Sequence, residues 1–340
     1  MYLFSTIKYE LSGKEIECIN YPGTASTIQG LLKYSDDFSK SQGLNMCWGK
    51  DTSDAAAAAN TGFDIRQKYI IDSADPKGSF SFAIPLWHIF GFCEDYDKVV
   101  YGMKHMLTLV RTGNDDAIFR ANGVGAGKVV LDEITWIMPR VFPNDAQKLA
   151  LYKIIESKPT LGVGFRMRQC DTITVPRSSS FTWRLSVRSA PERPRYIFIA
   201  LQTDKARNQE KNPAVFDHCK VKNMHVVLNS DSYPANDYNV SFAKHNVSRF
   251  YKDASDFIPK YSGVYNAQCN IDPVDYNTLF PLFVFDVSKQ SERLKSGIVD
   301  VTVKMEFEEN VAADTQAYAV VLCDRIITFK GDGSRMNVVI

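Results

Sequence analysis

The sequence predicts an all-β chain with a few connecting helices, built as two β-sandwiches in tandem. Three observations carry that expectation. Aromatic residues are 12 % of the 340 residues, with 21 Phe and 16 Tyr, and aromatic side chains suit a half-buried pleated surface. Strand-like segments follow one another across turns rich in Pro and Gly. They do not alternate regularly with helices, which argues against a doubly wound or (β/α)8 sheet. The strongest helical pattern, residues 145–156, lies near mid-chain with a strand-rich half on each side. A chain this long buries roughly 75 % of its unfolded surface, so it can build a large core without covalent staples.

The elements follow in order. Residues 2–11 are strand-like, Ser12-Gly13 turns the chain, and 14–19 return with polar–apolar alternation, the pattern of a hairpin. Residues 35–62 are small and polar around the run Ala55 to Ala59 and read as a surface insertion with some helix. Residues 79–86 form a strand ending at Pro85, and 102–110 form another. The stretches 114–116 and 123–127 mark loops, and 128–138 is a strand closed by Pro139. Asn144 can cap the helix 145–156, where Ala146, Leu149, Ala150, Ile154 and Ile155 make an apolar stripe at helical spacing. Beyond Pro159, strands resume at 164–175, 181–189 and 195–202, with Pro191 and Pro194 in the turn between the last two. Further strands cover 220–228, 279–287, 297–306 and 317–329, and 246–261 is helical or irregular. Many short strands with long loops favour sandwiches or jelly rolls. Divided at the central helix, the chain has a first jelly roll over 1–157 and a second over 158–340.

Charge is nearly balanced, 40 Lys/Arg against 39 Asp/Glu, and points to no strongly acidic partner. Residues 165–211 depart from that balance, with ten Lys/Arg and four Asp/Glu. Such a block can face nucleic acid, while the simpler reading sends the arginines to solvent on alternate strand positions. Seven cysteines stand far apart with no CxxC pair, which suggests reduced thiols and not a disulfide framework. No basic segment followed by an apolar stretch opens the chain, so no signal peptide is expected. The longest apolar run, 279–285, is broken by Pro281 and is far too short to span a bilayer. The sequons at Asn239 and Asn246 then carry little weight, because glycosylation needs a secretory route.

The search for chemistry fails at named residues. A phosphate-binding loop needs a glycine at 122 and a hydroxyl at 129, where the chain has Asn122 and Val129. The dinucleotide pattern fails at Lys128, so Gly123 to Gly127 reads as a flexible loop. Neither Gly-x-Ser-x-Gly nor His-Glu-x-x-His occurs. His88, His105, His218, His225 and His245 have no zinc-like spacing. Asp217, His218 and Cys219 suggest a nucleophile cluster, but strand neighbours point to opposite faces. His88 reads as a packed histidine. Trp87, Trp136, Phe181 and Trp183 read as core, with base stacking as the weaker alternative. The expectation is a non-enzymatic protein with no catalytic, cofactor-binding or metal-binding residue.

Several segments resemble the double jelly-roll major capsid proteins of the Polinton/Maverick and adintovirus-like group. They are residues 84–92 (IPLWHIFGF), 114–120 (NDDAIFR), 168–171 (RQCD), 181–185 (FTWRL), 216–219 (FDHC), 286–290 (DVSKQ) and 314–318 (DTQAY), with 9–16 (YELSGKEI) in the first roll. Their order along nearly the whole chain carries the resemblance. It implies two eight-stranded rolls per subunit, trimers forming pseudo-hexagonal capsomers, and an icosahedral shell around double-stranded DNA. It also implies a place in the virion, penton and minor capsid proteins as partners, weak contact with packaged DNA at most, and no membrane span. Family members usually have further N-terminal residues, whereas here Met1 runs straight into a strand, so the first roll is expected to lack an edge strand. A host-captured capsid-like protein and an unrelated carbohydrate-binding jelly roll are the alternatives.

Overall fold

The computed structural model describes residues 1–72, 78–113, 115, 117–186, 193–290 and 299–340. Twelve strands in three antiparallel sheets are seen among them. The first three are β1 (Phe4–Leu11), β2 (Lys14–Asn20) and β3 (His105–Arg111), in the order β2-β1-β3. The opening hairpin forms as expected. Ser12 and Gly13 both take positive φ, 48° and 77°, as a two-residue turn between twisted strands requires.

The remaining strands are β4 (Thr160–Thr174), β5 (Ser180–Arg184), β6 (Arg193–Thr203), β7 (Val221–Leu228), β8 (Asp231–Tyr233), β9 (Phe283–Asp286), β10 (Val301–Phe307), β11 (Thr315–Gly331) and β12 (Met336–Val339). Eight of them make two four-stranded faces, β4-β11-β6-β9 and β5-β10-β7-β8. β12 extends the first face by pairing with the end of β11. Successive strands are shared between the two faces, the arrangement of a jelly roll.

The faces differ in burial, and their sequences show it. Along β10 buried and more exposed positions alternate, Val301, Val303, Met305 and Phe307 facing in, so one side of that sheet meets water. β6 is buried without a break from Tyr196 to Leu201, and β11 from Ala317 to Cys323. A run like that needs cover on both sides. The opposing sheet covers one side. The N-terminal part covers the other through the helix Pro22–Lys33, which touches β1, β11 and the helix Phe257–Ser262. Tyr21, at the start of that helix, packs edge-on to Tyr318 of β11 with ring centres 6.1 Å apart.

Several expectations need correction. Residues 79–86 form no strand; the chain runs irregularly into a 3-10 turn, Leu86–His88. Residues 128–138 join no ladder among the described residues. As a result the part before residue 157 has three strands among the described residues, not the eight the resemblance implies. The helix Asp145–Glu156 forms, with Asn144 and Gln147 exchanging a capping box, yet its stripe faces water: only Ile155 is buried. Pro194 lies inside β6 at a bulge opposite Cys323 and is not in a turn. The insertion 35–62 contributes buried Asp51 and Asn60, 1 % and 0 % exposed, so it is not purely surface. Residues 114, 116, 187–189, 191 and 297–298, to which loop, strand and turn readings were attached, lie outside the described residues.

Candidate functional site

The densest polar chemistry sits where the N-terminal part meets β4. Glu17 on β2 is fully buried. Its carboxylate accepts from the Arg168 N–H at 2.7 Å and from the Phe92 N–H at 3.1 Å, so one side chain holds two backbones. Burial pushes its pKa up to about 7, against the opposing pull of Arg168 and those N–H groups. Gly91 starts the helix Gly91–Asp95 directly on β4, where an added Cβ would collide with the Arg166 carbonyl. That close approach is what requires glycine there.

Arg168, 1 % exposed, pairs with Glu94 and donates to the His88 carbonyl at 2.8 Å. Lys33 reaches Glu94 from the other side at 2.7 Å. Burial would raise the Glu94 carboxyl, but Arg168 and Lys33 together hold it below its ordinary value. Burial lowers Lys33 to about 8, helped by Arg168. Arg166 forks onto Asp95 through Nε, 3.1 and 3.0 Å from the two oxygens, and stacks 4.0 Å above the Tyr261 ring. His88 meets the Tyr34 hydroxyl at 2.8 Å and is lowered by burial to about 4. Each carboxylate here is occupied by a cation or by main-chain N–H groups. The geometry is that of a clamp.

The other candidates do not converge on chemistry. His218 Nδ1 accepts from the Lys220 N–H at 2.9 Å and the ring stacks on Phe242. The Cys219 thiol, raised by burial to about 11, meets Thr203 at 3.7 Å, and Asp217 accepts from Thr203 and Lys205. Asp217 and Cys219 therefore share the Thr203 side, while His218 turns to Phe242, so the imidazole lies apart from the thiol. Gly127 is held by Gln209, with no helix following it to receive a phosphate. Trp183 is core at 3 % exposure, Phe181 and Trp136 are partly buried, and Trp87 is a correction at 53 %. The basic residues of 165–211 are divided: Arg177, Arg184, Arg207 and Lys211 are exposed, whereas Arg168 and Arg193 are buried and Arg166 is paired. An open notch lined by Arg195, Tyr196, Lys260, Asp286, Ser288 and Lys289 has a single carboxylate, Asp286, which is taken by Lys260 at 3.2 Å and by Ser288. No disulfide joins any of the seven cysteines. Among the described residues no group of His, Cys, Asp and Glu is placed to hold a metal, and no helix is long and apolar enough to cross a membrane.

A clamp and a closed roll suggest architecture, and comparison with known proteins agrees. The family model described as a double jelly roll-like domain matches residues 1–327. The chain belongs to the double jelly roll-like domain family. As a double jelly-roll protein it is mostly β, with few helices. A chain of the Sputnik virophage, solved by cryo-electron microscopy at 3.5 Å, has a similar fold, with a TM-score of 0.55 and 11 % identity over all of this chain and 74 % of that one. PBCV-1 VP54, fitted into a reconstruction of the same virophage, aligns with 11 % identity over all of this chain and 84 % of that one, at a TM-score of 0.49. No curated protein matches the sequence significantly.

The clamp is what sequence reading missed. Glu17, Glu94 and Arg168 are far apart in the chain, and no local spacing joins them. The available signal was the unbroken apolar run in β6 and β11, which announces a sheet covered on both faces and so a second body docked on it.

Proposed function

We propose that this chain is a major capsid subunit that self-associates into trimeric, pseudo-hexagonal capsomers of an icosahedral shell around double-stranded DNA. The observation that carries this reading is the family match over residues 1–327, made physical by a complete eight-stranded roll with the N-terminal part docked on its inner sheet. Its role is structural, not catalytic. The proposed division is a first unit over 1–157, three-stranded among the described residues and standing where the family has its first roll, and a second roll over 158–340, with the clamp at Glu17 and Arg168 joining them. Shell subunits must keep their geometry while neighbours pull on them, and a seam of interlocked charges resists rotation between the halves. The similarity in segment order supports a place in the Polinton/Maverick and adintovirus-like group. It also supports the virion as location and penton and minor capsid proteins as partners. Contact with packaged DNA is weak and salt-sensitive, since Arg166, Arg168, Arg195 and Lys205 of the basic block are held in ion pairs within the chain.

Light scattering on the purified protein, with negative-stain microscopy, tests this. Trimers or particles are expected. A strict monomer across a wide concentration range overturns the reading.

A further inference from the structure

The outer edge of the sheet β5-β10-β7-β8 is covered unevenly. β8 pairs with β7 only from Val226 to Leu228. Beyond that, residues 234–240 run as a strap beside the rest of β7 and join no ladder among the described residues. The strap is tied to β7 by main chain and side chain. The Val240 N–H donates to the Lys222 carbonyl at 3.1 Å, and the Asn239 N–H donates to Asn223 Oδ1 at 2.7 Å. Nearer β8 the tie is His225. Its Nδ1 lies 3.0 Å from the Pro234 carbonyl oxygen, and its Nε2 lies 3.0 Å from Asp237 Oδ1.

Both of those partners are acceptors. A neutral imidazole carries one N–H and can make one of the two bonds, whereas an imidazolium carries two and makes both. The strap is therefore fastened twice or once according to the proton count of one ring. Histidine is the side chain whose charge ordinarily changes between pH 5 and 8. The charged groups around it divide. Lys304 of β10 stands directly opposite His225 on the same side of the sheet and opposes a charged ring. Asp237 favours one. Glu306, two residues along β10, is engaged by Asn223 at 3.1 Å. Arg249 of the helix Ser248–Ser255 donates to the Asp237 carbonyl at 2.7 Å. Asp231 lies at the far end of β8, opposite Leu228. When the ring is neutral, the Ser232 hydroxyl, 3.5 Å from Nδ1, is the donor at hand for the bare nitrogen, and the Pro234 carbonyl is released.

We propose that His225 is a proton-operated latch on the outer sheet edge: charged, it holds Pro234 and Asp237 together against β7, and neutral, it lets Pro234 go and loosens residues 234–240. The latch is closed at low pH and opens as pH rises. What it guards is the edge of β7, because an uncovered edge offers its N–H and C=O groups to another chain. The device stands apart from the clamp at Glu17 and does not depend on the capsid reading.

Hydrogen exchange on the full chain tests this, at about pH 5.5 and about pH 8, with each rate divided by the intrinsic rate at that pH. Residues 232–240 are followed against the buried run of β6, Tyr196 to Leu201, which reports any change in global stability. In wild type, 232–240 should exchange roughly 3- to 10-fold faster at the higher pH, the worth of one hydrogen bond, beyond any change in β6. His225→Gln should abolish that difference, since its amide offers the same donors at every pH. Asp237→Asn, a change on an exposed side chain, should shrink it, because an amide can turn either its carbonyl or its NH2 to the ring. A wild type without the difference overturns the proposal. A difference that persists in either variant also overturns it, even where both variants loosen 232–240 equally at the two pH values, because the contact is then structural only. If His225→Gln does not fold, Asp237→Asn decides alone.

Discussion

The two halves of this chain solve the same problem differently. After residue 158, eight strands close on each other, and the inner sheet is dry on both faces. Before it, three strands and several short helices lean on that sheet, and one long apolar stretch is left in water. The C-terminal roll is complete within its own chain. The N-terminal part borrows its order from the roll, through the helix Pro22–Lys33 and the clamp at Glu17.

That comparison can be broken by mutation. Phe198→Ala, in the fully buried run of β6, should cost roughly 3–5 kcal/mol and unfold both halves together in a denaturant titration. Arg168→Ala should cost a similar ~3–5 kcal/mol by leaving Glu17 and Glu94 without their buried cation. If the N-terminal part depends on the roll, limited proteolysis of this variant should cut before residue 157 first, and even cutting of both halves would refute the dependence. Gly91→Ala should cost about 1–3 kcal/mol, since the added methyl has to push β4 away. Ile137→Ala, in the exposed apolar stretch, should stay within ~0.5 kcal/mol.

A pH series sharpens the seam. Glu17 is raised from its ordinary range to about 7 by burial. Its folded pKa exceeds its unfolded one, so its contribution is fully present below about pH 4.5 and fades as pH rises through 7, by roughly 3 kcal/mol over that window. His88, lowered to about 4, acts in the opposite sense, its contribution fading as pH falls from about 6.5 towards 4. Melting wild type and Glu17→Gln from pH 5 to 8 isolates the first effect. The difference between the two melts should shrink as pH rises, and a constant difference would exclude Glu17 as a titrating group.

Most of the C-terminal roll was legible in the sequence, because each strand there carries its own pattern. β10 alternates strictly, and β11 is a long apolar run ended by Gly331. The N-terminal part was harder to read. Residues 79–86 and 128–138 have strand composition, but a ladder needs a partner, and composition does not say whether one is at hand. The stripe on the helix Asp145–Glu156 misled for a related reason: helical spacing of apolar residues shows that a face will be covered, not by which chain. The charge block 165–211 misled because arginines destined for an internal seam look, one by one, like arginines destined for water.

β4 and β11 pair without a bulge over 15 consecutive positions, from Thr160 opposite Lys330 to Thr174 opposite Gln316. At about 3.3 Å per residue, that is a straight rib of roughly 50 Å through the molecule. Tension along the rib loads every rung at once, in shear, whereas tension across it opens one rung at a time. The protein is therefore anisotropic as a material, stiff along β11 and easily peeled from the side, and a wall of such subunits would be strongest where its stress runs parallel to that strand.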